Sequence, residues 1–259
     1  LSHKMFLIFF HQNLIFYSNY YIFAQDFANS ILKMLEKTFG IVLCTIPYND
    51  FSQFVHIYTE KFGKISYKVA IRHYRNGSQQ RMAYTPMSLL ELDVNHNEAS
   101  EFQQIKEATL ISSPLSAGMG NPVKYSQTLY LAELIDKSVR EVERNERLWK
   151  YLYHSLEIFS LPEFSSETFH LLFTVNLFDL LGFGISPQGY EKGMQFDMRE
   201  SCFTHNPILH PYYLNSFSAE YLYRLISTNY SNIHELKLNS DERKTMLEIL
   251  LVYLKIHVP

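Results

Sequence analysis

The stretch FSQFVHIYTEKFGKISYKVAIR, residues 51 to 72, decides the fold of the first half of this chain. Its two runs, Phe51 to Glu60 and Ile65 to Arg72, are rich in Val, Ile and Tyr with partial alternation, and Lys61-Phe62-Gly63-Lys64 between them carries turn chemistry. Successive side chains of a strand point to opposite faces, so Tyr67, Val69 and Ile71 fall on one side and Ser66, Lys68, Ala70 and Arg72 on the other. Outward from this pair, Gly40 to Pro47, Met87 to His96 and Phe102 to Leu110 read the same way. They are punctuated at Pro47-Tyr48-Asn49-Asp50, Asn76-Gly77-Ser78 and Asn95-His96-Asn97. Five short strands between Met34 and Ser112 suit a small closed barrel, of which the five-stranded OB barrel is a common solution.

Pro114 to Gly120 reads as a linker, and the period then becomes helical. Asn121 caps, Pro122 takes the first helical position, and Leu131, Leu134, Ile135, Ser138 and Val142 form one face. Further helices are expected from Glu146 to Phe159, Ser166 to Leu181, Ser218 to Thr228 and Asp241 to His257. Phe183 to Leu214, with Pro187, Gly189, Gly193, Pro207 and Pro211, cannot continue a helix. The expected class is therefore α+β: an OB barrel over residues 34–112, then a helical domain over residues 119–259 with an irregular insert at 183–214. Residues 1–33 begin with Leu, carry nine Phe or Tyr and show neither periodicity, so they are read as upstream translation or an extension, with the natural start at Met34. His11, Gln12, Asn13, Ser18 and Asn19 make this segment a poor membrane span.

An apolar content of 47% is enough for a full core, while a net charge of −3 offers no global sign of nucleic acid. Two cysteines without framework spacing fit a reduced, cytoplasmic protein. Gly182-Phe183-Gly184 does not complete a dinucleotide fingerprint, and the chain has no phosphate loop, HExxH pair or Gly-x-Ser-x-Gly elbow, so no enzyme is expected. Cys202, His205 and His210 make an incomplete set for a structural zinc, with Asp197 or Glu200 as a poor fourth, and neither metal nor cofactor is expected. Trp149, at helical spacing with Leu152 and Tyr153, reads as core.

The local charge is more telling. From Lys61 to Tyr84 there are six cations, Lys61, Lys64, Lys68, Arg72, Arg75 and Arg81, and no Asp or Glu. Lys68 and Arg72 share a solvent face, Arg75 and Arg81 extend it, and Tyr74 or His73 can stack on a base, which points to DNA. A solvated hairpin without a partner has the same composition.

Gly40-Ile41-Val42-Leu43, Val55 to Gly63 and Met87-Ser88-Leu89-Leu90-Glu91-Leu92 resemble the OB barrel of RecO proteins, especially those of Bacteroidetes-like bacteria. Leu131 to Glu141, Phe169 to Phe173 through Leu180 to Phe183, and Phe196-Asp197 with His210 to Leu214 resemble successive blocks of that family's helical part. The resemblance implies binding of single- and double-stranded DNA, annealing of complementary strands, and work with RecR in loading RecA onto DNA coated by single-strand binding protein. It argues against bound zinc, because many relatives have a four-cysteine module where this chain keeps Cys202 alone. An acidic peptide tail ending in an aromatic, as on single-strand binding protein, needs cations beside an apolar groove, and Lys137 and Arg140 are the candidates. The rival expectation is a helical interaction adaptor whose barrel does not bind DNA.

Overall fold

The computed structural model describes residues 35–70, 83–97, 100, 102–117, 120–139, 143–161 and 167–258. Strands β1 (Leu35–Asn49), β2 (Ser52–Thr59), β3 (Gly63–Ala70), β4 (Leu89–Asn95) and β5 (Gln104–Ser112) form one antiparallel sheet in the order β3-β2-β1-β4-β5. The long β1 pairs with β2 on one side and β4 on the other, so the sheet rolls around it. Gly40 sits on that strand where a Cβ would lie 2.5 Å from a methyl of Ile57, so only glycine lets the sheet close up here. Gly63, at φ 68°, supplies the left-handed residue of the β2–β3 turn.

The edges β3 and β5 approach without zipping. One parallel bridge joins Tyr67 to Gln103: the Lys68 amide donates to Gln103 O at 3.0 Å, and the Gln103 amide donates to Ser66 O at 3.1 Å. The barrel is therefore the partly open kind found among OB folds rather than the closed one expected from the strand count. The Gln103 side chain bonds the backbone of Asn97 and Ser100, which pins the turn before β5 and limits the contact to this point.

Helices α1 (Pro114–Ala117), α2 (Pro122–Ser138), α3 (Glu146–Ser160), α4 (Phe169–Leu180), α5 (Ser216–Ile226) and α6 (Ser240–His257) follow. The Asn121 side chain accepts from the amides of Val123 and Lys124, with Pro122 behind it, as the sequence predicts. The helix stops at Ser138 because Val139 turns extended (φ −89°, ψ 105°), so the expected run to Val142 is shortened. Helix α5 starts two residues ahead of expectation, since Asn215 is the cap, and α6 opens on a capping box of Asn239 and Glu242. The stretch predicted irregular holds a small sheet in the order β7-β6-β8, from Gln195–Asp197 (β6), Cys202–Thr204 (β7) and Tyr213–Leu214 (β8).

The core has two parts. Val55, Ile57, Ile65, Tyr67, Leu90, Leu92 and Val94 fill the inside of the rolled sheet. On its outer surface Ile41, Leu43, Tyr58 and Leu89 join one continuous core with Leu131, Ile135, Trp149, Leu152 and Phe173. The helices thus cover part of the sheet directly. Within the cover, His170 is half-buried between Gln127, whose Nε2 lies 3.1 Å from His170 Nδ1, and the edge of Tyr130. Burial, then the Arg243 charge, pushes its pKa down to about 4. Among the described residues no helix is long and apolar enough to cross a membrane. The expectation for residues 1–33 lies outside the described residues.

Candidate nucleic-acid interface

One face of the sheet runs from a covered end to an open end. Register places Cys44 opposite His56 and His56 opposite Ser66, and the next row aligns Ile46, Phe54 and Lys68. At the covered end Tyr58 is buried and stacks on Trp149, ring centroids 6.4 Å apart. At the open end Lys68 lies over the Tyr48 ring, 4.8 Å from its centroid. Tyr48 meets Phe54 edge-on at 5.0 Å, and Phe54 packs on Phe102 at 4.6 Å. Tyr48 and Phe102 are exposed, as is Ile46. Phe51, 75% exposed, is held at the turn because Asn49 Oδ1 accepts from the Phe51 amide and the Ser52 hydroxyl, both at 2.9 Å. This turn explains the exposure: Asn49 satisfies the backbone that would otherwise need a partner. The result is a cation over Tyr48 in a row that continues through the half-buried Phe54 to Phe102, with Phe51 exposed at the turn between β1 and β2.

The three described lysines of the acid-free run have different surroundings. Lys68 is exposed, and among the described residues no carboxylate pairs with it. Lys61 pairs with Glu36 of β1 at 3.0 Å. Lys64 reaches Asp136 of α2, with Nζ 2.9 Å from Oδ1 and a second bond to the Asp136 carbonyl. His56 Nδ1 lies 3.1 Å from the same Oδ1. Burial opposes ionisation of Asp136, yet the bonds from Lys64 and His56 outweigh it and hold the carboxyl below its usual range. Arg72, Arg75 and Arg81, with the stacking candidates His73 and Tyr74, lie outside the described residues. Tyr48, Phe51, Phe54 and Phe102 do not stand out in the sequence as ligand-facing residues: Phe54 shares its strand parity with the polar His56, and Tyr48 lies in a run with turn chemistry, Pro47-Tyr48-Asn49-Asp50, that β1 extends through to Asn49.

On the helical side, Lys137 is exposed and pairs with Glu133 one turn earlier. It also lines a groove of about 400 Å³ between α2 and α6, with Leu134, Leu251, Leu254, Val258 and Lys255. Arg140 lies outside the described residues. Cys202, His205 and His210 are not gathered: His205 pairs with Glu191 at 3.4 Å and His210 with Asp197 at 3.1 Å. Asp197 itself accepts from the amides of Arg199 and Glu200, a turn-forming role.

Comparison with known proteins bears on both halves. A family model described as "Recombination protein O N terminal" matches residues 34–114, and one described as "Recombination protein O C terminal" matches residues 119–188. A protein named DNA repair protein RecO from Azobacteroides pseudotrichonymphae genomovar. CFP2 is 34% identical over 225 residues, covering 87% of this chain and 93% of that relative. Proteins of the same name from Bacteroides fragilis (strain YCH46) and Phocaeicola vulgatus are 33% and 32% identical, each over 87% of this chain and 93% of the relative.

Proposed function

The chain belongs to the RecO family of DNA repair proteins, and on that premise we propose that it is a non-catalytic recombination mediator that holds single-stranded DNA on the open end of its sheet. The observation that carries this reading is Lys68 lying over Tyr48 in a solvent-facing row with Phe54 and Phe102. Every base has a face that stacks on an aromatic ring, and an ammonium beside it replaces the counterions of a phosphate, so this pairing suits a strand without regard to sequence. Arg72, Arg75 and Arg81 continue the proposed surface. Lys61 and Lys64, each already beside a carboxylate, add less. Annealing follows from the same neutralisation, which lowers the repulsion between two strands.

The finer assignments, binding of double-stranded DNA and work with RecR in loading RecA onto coated single strands in the cytoplasm, rest on family kinship. The α2–α6 groove suits the acidic tail of single-strand binding protein, because Lys255 stands beside apolar walls that fit a terminal aromatic, with Lys137, shared with Glu133, on the other rim. Arg140 is the further cation proposed there. The reading divides the chain into a DNA-binding unit at residues 34–112 and a helical interaction unit at residues 119–259, and it involves no bond chemistry.

Anisotropy titration of labelled single strands at several salt concentrations tests it. Lys68→Ala is expected to weaken binding and to flatten the slope of log affinity against log salt by about 0.7. Unchanged affinity and slope in the folded variant would move the DNA surface elsewhere and favour the adaptor, in which the sheet only docks a partner.

A further inference from the structure

We propose that Cys44, His56 and Asp136 form a zinc site that clamps helix α2 onto the sheet. The three side chains come from β1, β2 and α2, and their ligand atoms converge on one point. Cys44 Sγ lies 3.2 Å from His56 Nδ1 and 3.7 Å from Asp136 Oδ2, and His56 Nδ1 lies 3.1 Å from Asp136 Oδ1. Zinc bonds of about 2.3 Å to sulfur and about 2.0 to 2.2 Å to nitrogen and oxygen, at tetrahedral angles, leave ligand atoms about 3.3 to 3.6 Å apart. The two edges at the sulfur, 3.2 Å to Nδ1 and 3.7 Å to Oδ2, lie just either side of that spacing, so small side-chain shifts would admit the ion. Thiolate with imidazole selects a borderline-soft ion over magnesium or calcium. Three protein ligands leave the fourth position to water.

A catalytic relay is a poor alternative. A relay needs the nucleophile and the carboxylate on different ring nitrogens, and here both approach the same Nδ1. Burial, then the charge and hydrogen bond of Asp136, pushes the Cys44 thiol up to about 11, so it is no nucleophile at neutral pH. Metal entry therefore breaks the Sγ–H bond and forms Sγ–Zn, and the proton leaves to the buffer. Thiolate and carboxylate together neutralise the ion. Lys64 stays on Asp136 Oδ1 and on the Asp136 carbonyl, orienting the carboxylate while Oδ2, turned toward the thiol, is left for the metal. This site is separate from Cys202, His205 and His210, and so departs from the expectation of no metal that rested on those three.

The test uses the full chain and Co²⁺ as a spectroscopic substitute for Zn²⁺. The chain has two cysteines, so any thiolate-to-cobalt charge-transfer band reports Cys44 or Cys202. We expect one Co²⁺ per chain with that band, displaced by one equivalent of Zn²⁺. The band should persist in Cys202→Ser and vanish in Cys44→Ser, with Zn²⁺ affinity falling at least tenfold in Cys44→Ser and His56→Ala. Zinc should raise the melting temperature of the unmutated protein and slow alkylation of its Cys44. Absence of a thiolate band in the unmutated chain, or a band lost in Cys202→Ser, overturns the proposal without depending on whether any ligand variant folds.

Discussion

Lys64 and Lys68 are four residues apart on one strand and one face, yet they sit in opposite settings. Lys64 lies under the edge of the helical cover with a carboxylate 2.9 Å away, and Lys68 lies in the open over an aromatic ring. The run from Lys61 to Tyr84 contains no acid, but Glu36 and Asp136 reach it from elsewhere in the chain. A charge run read along the sequence counts residues, whereas a phosphate meets only charge that no neighbouring carboxylate has already matched. The covered end is therefore the joint between sheet and helices, and the open end is the proposed DNA surface.

The strongest way to break this comparison is to remove the rings. Base–aromatic stacking contributes about 1 to 3 kcal/mol per base, so Tyr48→Ala with Phe54→Ala should cost about 3 kcal/mol of single-strand affinity, on the order of a hundredfold in Kd. Anisotropy at moderate salt measures it, and near-normal affinity in a folded double variant would place the strand on another surface.

Next in size is a pH effect confined to the helical cover. His170 is held neutral in the fold with its pKa down to about 4, while in the unfolded chain it takes a proton near pH 6.5. A depressed folded value means stability that is present above the unfolded pKa and lost as pH falls toward the folded one. Unfolding by urea should therefore lose about 2 to 3 kcal/mol between roughly pH 6.5 and 4. His170→Gln should flatten that window, and an unchanged pH profile would show that other groups govern it.

At the joint, Asp136→Asn leaves Lys64 without its counter-charge. Breaking a buried pair costs about 3 to 5 kcal/mol; these side chains keep 22% and 21% exposure, so a loss of about 2 kcal/mol is expected. DNA affinity should hardly change. Equal losses of stability and affinity would contradict the division of the face into joint and binding surface. The smallest effect is the sharpest test of free against matched charge: Lys68→Ala should lower the salt slope by about 0.7, and Lys61→Ala, with Glu36 beside it, by clearly less. Folding stability of Lys61→Ala should stay within about 0.5 kcal/mol, since exposed pairs contribute little.

Much of the fold is legible because its signals are local. Alternation at Tyr67 and Val69, the cap and proline at Asn121 and Pro122, and the prolines and glycines of residues 183–214 all act within a few residues of where they stand. Trp149 is core, as its helical spacing predicts, but its partner Tyr58 comes from the sheet, which no helical period announces. The shortened α2 and the early start of α5 are terminus effects, decided by which residue turns extended and which Asn caps.

Composition and period alone determined that a strand-rich half precedes a helical one, that Lys68 faces away from Tyr67 and Val69, and that positive charge concentrates between Lys61 and Arg81. Tertiary structure decided the rest through one irregularity and one long-range contact. A strict period of two puts Cys44 on the face of Val42, inside the barrel; a bulge between them shifts the register, so Val42 opposes the interior Ile57 while Cys44 opposes the outward His56. Asp136, 80 residues beyond His56, then arrives on α2 to complete the cluster and to take Lys64. A bulge changes which way a side chain points without changing which residue it is, and packing brings charges together that sequence separation hides.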